Sequence, residues 1–241
     1  TTPESYELHQ AFSQMVEAGC EYAVMEVSSQ GIKMHRTDGL YFDYGVFTNI
    51  SPDHIGPGEH ADFEEYLYYK TRLLNMCRIG LVNKDDEHAE QIIKAANCEL
   101  YTYSEKGKEA DFTASDIRYV SQPDFVGTEF HISGKYDMEV RLGIPGLFNV
   151  VNALAAVSVC SFLNLDKERI CHALEHIRVN GRMEIVYTSA RCTVLVDYAH
   201  NAVSMASLLS TLRDYKPKRL VCVFGCGGNR SKDRRYSMGE I

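Results

Sequence analysis

The alternation of apolar and polar positions predicts helices separated by short strands. Residues 5–18 place apolar side chains at helical spacing, and Gly19 ends that helix. Short apolar runs at 22–27 and 45–50 predict strands, and residues 61–77 predict a helix whose acidic residues precede its basic ones. Further strand and helix signals follow up to residue 96. Strands that alternate with helices are typical of a parallel α/β sheet.

The pattern changes near residue 99. Residues 99–141 are rich in β-forming residues and alternate weakly, which predicts an antiparallel patch attached to the α/β core. Helices are predicted at 147–164 and 166–176. The uncharged run 142–165 has the length of a membrane span, but its proline, glycine and amide residues favour a buried helix.

The alternation of strand and helix then restarts. It predicts a strand at 193–200, a helix at 202–214 and a strand at 219–228. The segment 179–182, VNGR, lies between the two patterns and is the predicted domain boundary. We expect the chain to be a piece of a longer protein, because it opens without Met and stops within a helical pattern.

Composition narrows the classes of protein that fit. The 241 residues include 25 Lys+Arg and 33 Asp+Glu, which gives a formal net charge of −8 and argues against a nucleic-acid binder. A content of 45% hydrophobic and 24% charged residues excludes disordered and collagen-like chains. Eight scattered cysteines without a CxxC pair are typical of reduced thiols in a cytoplasmic protein.

Polar clusters follow several predicted strands, where open parallel sheets bind ligands. These clusters are Glu26–Ser29, Asp53–His54, Asp197–His200 and Gly225–Arg230. Glu26 and His54 could hold a divalent cation with water, or they could be a hydrogen-bonded carboxylate and a loop histidine. The glycine-rich cluster could hold a phosphate group or form a plain tight turn, and the basic residues from Arg230 to Arg235 could complete an anion site or be solvated.

Two further features are open to two interpretations each. Lys70 lies within an aromatic stretch, where spacing alone favours a surface lysine whose stem covers tyrosine rings. Asn149 and Asn152 share one face of a predicted helix. Buried amides need partners, and these two could be packing polar groups or could contact a nucleotide.

Taken in order, a series of short strings resembles the Mur ligase family, and within it the MurE branch. The strings are TTPE (1–4), MEVSSQG (25–31), HR (35–36), FTNISPDH (47–54), YYKTRLL (68–74), GLFNVVNALAA (146–156), NGRMEIV (180–186), VDYAH (196–200) and VFGCGGNR (223–230). The resemblance implies an α/β fold with a central ATPase-type domain at 1–179 and the start of a Rossmann-like C-terminal domain at 180–241.

The resemblance also implies an activity. Such an enzyme is an ATP-dependent amide ligase of peptidoglycan precursor synthesis that adds meso-diaminopimelate or L-lysine to UDP-MurNAc-L-Ala-D-Glu through an acyl phosphate. Its implied cofactors and partners are ATP, Mg²⁺, the UDP-sugar dipeptide and the diamino acid, in a cytoplasmic monomer without nucleic acid or membrane. The alternatives are a non-catalytic nucleotide-sugar binding module and a related ligase such as folylpolyglutamate synthase.

Residue roles follow from the same resemblance. The implied UDP-sugar contacts are Thr1, Thr2, Ser28 and Arg36. The implied magnesium and catalytic residues are Glu26, His54 and an N-carbamoylated Lys70. The implied ATP contacts are Asn149, Asn152, Arg182, Asp197, Tyr198 and His200. The phosphate-binding loop and the segment that selects the diamino acid are expected outside residues 1–241, so we expect this chain alone to be inactive.

Overall fold

The computed structural model describes residues 2–52, 55–226 and 233–241. The chain divides into two compact units. The first unit holds the residues up to Ser104 together with Lys108–Asp111, and the second holds Glu105–Gly107 together with Phe112–Ile241. Each unit contains its own helices and strands, so each is a separate setting for functional side chains.

The first unit combines helices with parallel strands. Its elements in chain order are α1 (Ser5–Glu17), α2 (Ser29–Lys33), β1 (Phe42–Phe47), α3 (Phe63–Thr71), β2 (Cys77–Asn83), α4 (Ala89–Ala95) and β3 (Glu99–Ser104). Strand β2 pairs in parallel with β1 on one side and with β3 on the other. Parallel strands joined through helices are the α/β arrangement that the sequence pattern predicted.

The composition of β2 explains its central position. All of its residues except Arg78 are buried, as expected for a strand that is covered on both faces. Tyr66 of α3 and Ile92 of α4 belong to the same buried cluster as Val82 of β2. The core of the first unit is therefore formed where helices pack on this strand.

Two opposed glycines make room for two thiols beside this core. Gly45 lies opposite Gly80 in the register of β1 and β2. A Cβ atom on Gly45 would lie 2.7 Å from Cys77 Sγ, and one on Gly80 would lie 2.8 Å from Cys98 Sγ. Burial raises the pKa of the Cys77 thiol to about 12, so this thiol stays protonated at neutral pH.

The second unit combines antiparallel strands with helices. Its elements are β4 (Phe112–Ser121), β5 (Val126–Ser133), β6 (Met138–Leu142), α5 (Leu147–Phe162), α6 (Lys167–His176), β7 (Glu184–Thr188), β8 (Thr193–Val196), α7 (Ala202–Asp214) and α8 (Asp233–Gly239). Strand β5 pairs antiparallel with β4 and β6, and β7 pairs antiparallel with β8. The predicted antiparallel patch is confirmed from Phe112 onward. Its predicted start at residue 99 is wrong, because Glu99–Ser104 pairs in parallel with β2 and belongs to the first unit.

Helix α5 is the buried helix of the second unit. Val150, Leu154 and Val157 have no exposed surface, and the helix packs on β4 and β5. Its start is held by Tyr215, whose hydroxyl accepts the Gly146 N–H at 3.1 Å. No helix among the described residues is long and apolar enough to cross a membrane.

Two predicted strands are wrong. Residues 22–27 and 219–226 adopt no strand in the structure, and the rest of the second prediction, 227–228, lies outside the described residues. Val24 is fully exposed and Val223 is 94% exposed. A strand needs a neighbouring strand and a covered face, and among the described residues neither segment has them.

The remaining helix predictions are largely confirmed. Helices α1, α5, α6 and α7 lie within a few residues of their predicted bounds. The helix predicted over 61–77 is shorter, because it ends at Thr71 and tightens into a 3-10 turn over Arg72–Asn75. The α/β fold class is confirmed, and the domain boundary at 179–182 stays a prediction.

Candidate functional site

Thr2 is the centre of a hydrogen-bonded cluster in the first unit. Its side chain is almost fully buried; Oγ1 donates to the Glu26 carbonyl at 3.1 Å and accepts the Ser28 N–H at 2.9 Å. The Arg36 Nη1 group donates to the Thr2 carbonyl at 3.1 Å. The structure thus brings together Thr2, Ser28 and Arg36, three of the four residues predicted to contact a UDP-sugar.

The local sequence explains why Ser28 sits in this cluster. Ser28 is the N-cap of α2, and its Oγ accepts the Gly31 N–H at 2.9 Å. A Cβ atom at Gly31 would lie 2.9 Å from the Thr2 side chain, so glycine lets Thr2 pack directly on the first turn of α2. Serine as the cap and glycine three residues later therefore create the seat for Thr2.

Glu26 and Arg36 supply the charges around Thr2. The Glu26 residue is exposed, while its carbonyl is held by Thr2. The Arg36 guanidinium forms an ion pair with Glu4 through Nη2 and Oε1 at 2.6 Å. The Arg36 guanidinium is thus held in place by Thr2 and Glu4, while the bond to Thr2 fixes the main chain of Glu26.

Lys70 lies on the last turn of α3. This helix begins at the Asp62 cap, whose Oδ1 accepts the Glu65 N–H at 2.8 Å. The Lys70 Nζ lies 5.3 Å from the centroid of the Tyr66 ring, within the range of a cation–π contact. Spacing predicted contact between the lysine stem and tyrosine rings; in the structure the Lys70 amine itself lies beside a buried tyrosine ring.

A second group of predicted residues follows β8 in the second unit. Asp197 accepts the Met183 N–H at 2.9 Å through Oδ2 and the Ala199 N–H at 2.8 Å through Oδ1. The Arg182 guanidinium lies 4.7 Å from the centroid of the Tyr198 ring. The carboxylate thus joins the segment that carries Arg182 to the segment that carries Tyr198.

His200 extends this group. Its ring lies 5.1 Å from the Tyr198 ring in an edge-to-face arrangement, and its Nδ1 is 3.0 Å from the Tyr198 carbonyl. Arg182, Tyr198 and His200 therefore form a row of planar groups, an arrangement that suits stacking with a nucleotide base. The structure brings together four of the six predicted ATP contacts here.

The other two predicted ATP contacts form a pair on α5. Asn149 Nδ2 donates to the Pro145 carbonyl at 2.8 Å, and Asn152 Nδ2 donates to Asn149 Oδ1 at 3.4 Å. The predicted shared helix face is thereby confirmed. Both amides have hydrogen-bond partners within the protein, which agrees with a role as packing polar groups.

Some predicted residues lie outside the described residues. They are Thr1, Asp53, His54, the loop at 227–230 and Lys232. Among the described residues, no group of three or more His, Cys, Asp and Glu side chains is placed to hold a metal ion. Of the three predicted magnesium ligands, the structure describes Glu26 and Lys70, and Glu26 is the carboxylate among them.

Sequence reasoning missed His60. The imidazole is fully buried in the first unit, and its Nε2 is 2.9 Å from the Ser29 Oγ. The nearby Glu65 carboxylate has a pKa below its ordinary value, because it accepts the Ala61 N–H and pairs with Lys33. The available signal was the position of His60 two residues before the Asp62 cap, which predicts neither burial nor a partner.

Comparison with known proteins decides the family. A model of the Mur ligase middle domain matches residues 1–160, and a model of the Mur ligase glutamate ligase domain matches residues 181–241. The chain belongs to the Mur ligase family. As a Mur ligase chain, it carries the Thr2 cluster within the middle-domain match, and the Arg182–His200 group within the second match.

Individual relatives agree with this assignment. The chain is 39% identical over 240 residues to the UDP-N-acetylmuramoyl-L-alanyl-D-glutamate–2,6-diaminopimelate ligase 2 of Clostridium acetobutylicum, covering 99% of this chain and 48% of that relative. It is 38% identical to the corresponding ligase of Caldanaerobacter subterraneus, covering 100% and 49%. The Mur ligase chain thus spans about half the length of the relatives it matches.

Solved structures show the same likeness. A structure of a UDP-N-acetylmuramoyl-L-alanyl-D-glutamate–2,6-diaminopimelate ligase matches all of this chain and 50% of its own, with a TM-score of 0.80 and 29% identity. The folylpolyglutamate synthase of Mycobacterium tuberculosis matches 85% of this chain, with a TM-score of 0.66 and 21% identity, which shows the fold alone.

Proposed function

We propose that this chain is the middle domain and the beginning of the C-terminal domain of an ATP-dependent ligase of the MurE type. The whole enzyme would add a diamino acid to UDP-MurNAc-L-Ala-D-Glu as a cytoplasmic monomer, with the domain boundary near 179–182. The observation that carries this proposal is the hydrogen-bonded grouping of Glu26, Ser28 and Arg36 around Thr2, in a chain matched along its length by relatives with that one activity.

The two units have separate chemical roles in this proposal. The Thr2 cluster, with Thr1, binds the UDP-sugar dipeptide, and the Arg36 guanidinium, held by the Thr2 carbonyl and Glu4, places positive charge beside this cluster. Asn149, Asn152, Arg182, Asp197, Tyr198 and His200 bind ATP. The row of Arg182, Tyr198 and His200 supports this assignment, because planar cationic and aromatic groups stack well on a base.

The chemistry follows from the charges of the two substrates. The D-Glu γ-carboxylate attacks the γ-phosphorus of ATP, which releases ADP and leaves an acyl phosphate. The amine of the diamino acid then attacks the acyl carbon, and phosphate leaves. Both steps bring anions together, so the surrounding groups must neutralise charge in the transition state.

The described residues fit a magnesium ion in part. Mg²⁺ binds proteins through one or two carboxylates while it keeps water and phosphate ligands, and Glu26 is an exposed carboxylate of this kind. His54 and an N-carbamoylated Lys70 are the proposed further ligands, because carbamoylation converts the lysine amine into an anionic oxygen donor. When bound, Mg²⁺ neutralises phosphate charge.

Phosphate release by the longer protein that carries this chain tests the proposal. The assay contains ATP, Mg²⁺ and UDP-MurNAc-L-Ala-D-Glu, with diaminopimelate or L-lysine in parallel reactions. We expect release with one of the two amino acids, and none from the 241-residue chain assayed beside it. Tight binding of the UDP-sugar without release would favour a non-catalytic module, and release by the 241-residue chain would refute the predicted incompleteness.

A further inference from the structure

A buried histidine lies between two elements of the first unit that carry proposed site residues. The His60 ring has no exposed surface, and its Nε2 forms a 2.9 Å hydrogen bond with the Oγ of Ser29, the first residue of α2. The same ring lies 5.2 Å from the Tyr66 ring and 5.7 Å from the Tyr69 ring, both on α3. His60 therefore contacts both helices at once.

Further polar contacts connect α2 with the segment that contains His60. Lys33 donates to the Glu59 carbonyl at 2.9 Å and pairs with Glu65 at 2.9 Å. Gln30 Nε2 donates to the Gly58 carbonyl at 3.3 Å. The hydrogen bond between Ser29 and His60 is the buried member of this set, which makes it the one least weakened by solvent.

Helices α2 and α3 carry two parts of the proposed site, Ser28 and Lys70, whose separation must be fixed. Ser28, which caps α2 and bonds to Thr2, directly precedes Ser29. Lys70 lies over the Tyr66 ring that His60 contacts. A shift of the imidazole would therefore displace Ser28, the neighbour of its partner Ser29. It would also displace the Tyr66 ring, which Lys70 contacts.

We propose that His60 is a positioning residue that fixes the spacing between the Thr2 cluster and Lys70. It transfers no proton and touches no substrate in this role. The inference rests on the proposed function, because it gives a reason for holding those two groups at one separation. Misplacement of reacting groups by about 1 Å can lower a rate by about 100-fold.

The test uses the longer protein that carries this chain, with three variants and one control. His60→Ala removes the ring, His60→Gln keeps a polar group for Ser29, and Ser29→Ala removes the hydroxyl. We expect His60→Ala and Ser29→Ala to lower kcat by about 10- to 100-fold with an unchanged KM for ATP, and His60→Gln to recover part of the loss.

The control is Ser158→Ala in α5. Its buried hydroxyl donates to the Leu154 carbonyl at 2.7 Å, so the substitution removes a buried hydrogen bond outside the first unit. We expect a similar loss of stability with an unchanged kcat. An unchanged kcat in folded Ser29→Ala and His60→Gln, or a loss in Ser158→Ala as large as theirs, would overturn the proposal.

Amide hydrogen exchange separates this proposal from the proposed function. We expect faster exchange at the Gly31 N–H and along α3 in the His60 and Ser29 variants, and wild-type rates there in Ser158→Ala. If the wild-type protein releases no phosphate with either amino acid, the proposed function fails. Unaltered exchange in α2 and α3 would still overturn the positioning role in that case.

Discussion

Asp197 folds the chain at the end of β8 through both of its carboxylate oxygens. One oxygen accepts the Met183 N–H and the other accepts the Ala199 N–H. These bonds keep Arg182 and Tyr198 within contact of each other. The residue therefore shapes the proposed nucleotide site in addition to any contact with the ligand.

Replacing Asp197 should reveal this structural part. We expect Asp197→Ala to lower the free energy of unfolding by about 1–3 kcal/mol, because two N–H donors lose their acceptor. Asp197→Asn keeps one carbonyl acceptor and should lose less. Urea unfolding of the 241-residue chain measures both variants, and equal losses would contradict the two-oxygen account.

Glu65 should make the stability of the first unit sensitive to acid. The Ala61 N–H and the Lys33 ammonium lower the pKa of its carboxyl below the reference value of 4.5. A lowered folded-state pKa contributes stability above the unfolded pKa and loses it as the pH falls through the folded value. The advantage of wild type over Glu65→Gln should therefore shrink below about pH 4.5.

Thermal melts at pH values from about 3 to about 7, on both sides of the reference carboxyl pKa of 4.5, measure the difference in stability between wild type and Glu65→Gln. Glu64→Gln is the matched control, because Glu64 is the neighbouring acid in the first turn of α3 and its substitution leaves the Lys33–Glu65 pair intact. A gap between wild type and Glu65→Gln that stays constant with pH would argue against the assigned cause.

At the scale of elements, helix caps connect local stability with the proposed site. Ser28 caps α2 through the Gly31 N–H, and Asp166 caps α6 through the Arg169 N–H. The two caps do the same work for their helices, but only Ser28 also bonds to Thr2. Comparing them separates a general capping effect from a site effect.

Both Ser28→Ala and Asp166→Ala should lower the free energy of unfolding by about 0.5–2 kcal/mol. We expect only Ser28→Ala to raise the KM for the UDP-sugar in the longer protein. Urea unfolding and steady-state phosphate release measure the two effects. A raised KM in Asp166→Ala would show that the loss reflects stability rather than the site.

Local signals account for the elements that the sequence predicted well. The helix α7 begins with a capping box between Asn201 and Ser204, a signal contained within one helical turn of sequence. The strands predicted at 22–27 and 219–228 depended on partners from elsewhere in the chain. Apolar composition alone cannot supply those partners, so the predictions failed over 22–27 and over 219–226, the described part of the second segment.

The site shows the same division. The grouping of Thr2, Ser28 and Arg36 was expected from the family resemblance, and the contact between Lys70 and an aromatic ring from spacing. The role of His60 could not be predicted. Its partner Ser29 is distant in sequence, and the residues around His60 and Tyr66 are ordinary in composition.

At the scale of the whole molecule, the exposed apolar segments should limit solubility. Residues 22–24 and 221–224 are exposed and contain β-forming residues such as Val24 and Val223. Such segments can pair between molecules when they have no partner within one. The 241-residue chain should therefore associate at high concentration.

We expect Val24→Glu combined with Val223→Glu to reduce light scattering by the concentrated chain severalfold. Val203→Glu is the control, because Val203 is 81% exposed but lies on the helix α7. It adds charge without interrupting an exposed extended segment. Equal improvement from the control would mean that net charge, rather than strand pairing, governs the association.

The buried Cys77 thiol, which packs beside Gly45, can report how often the first unit opens. Cys20, Cys192 and Cys222 are exposed and should react with an alkylating reagent immediately, whereas the Cys77 thiol is sealed in the core. Alkylation of Cys77 requires the strands around it to separate, so the alkylation rate measures the rate at which the first unit opens. Mass spectrometry of that one peptide would follow unfolding of the first unit without any introduced label.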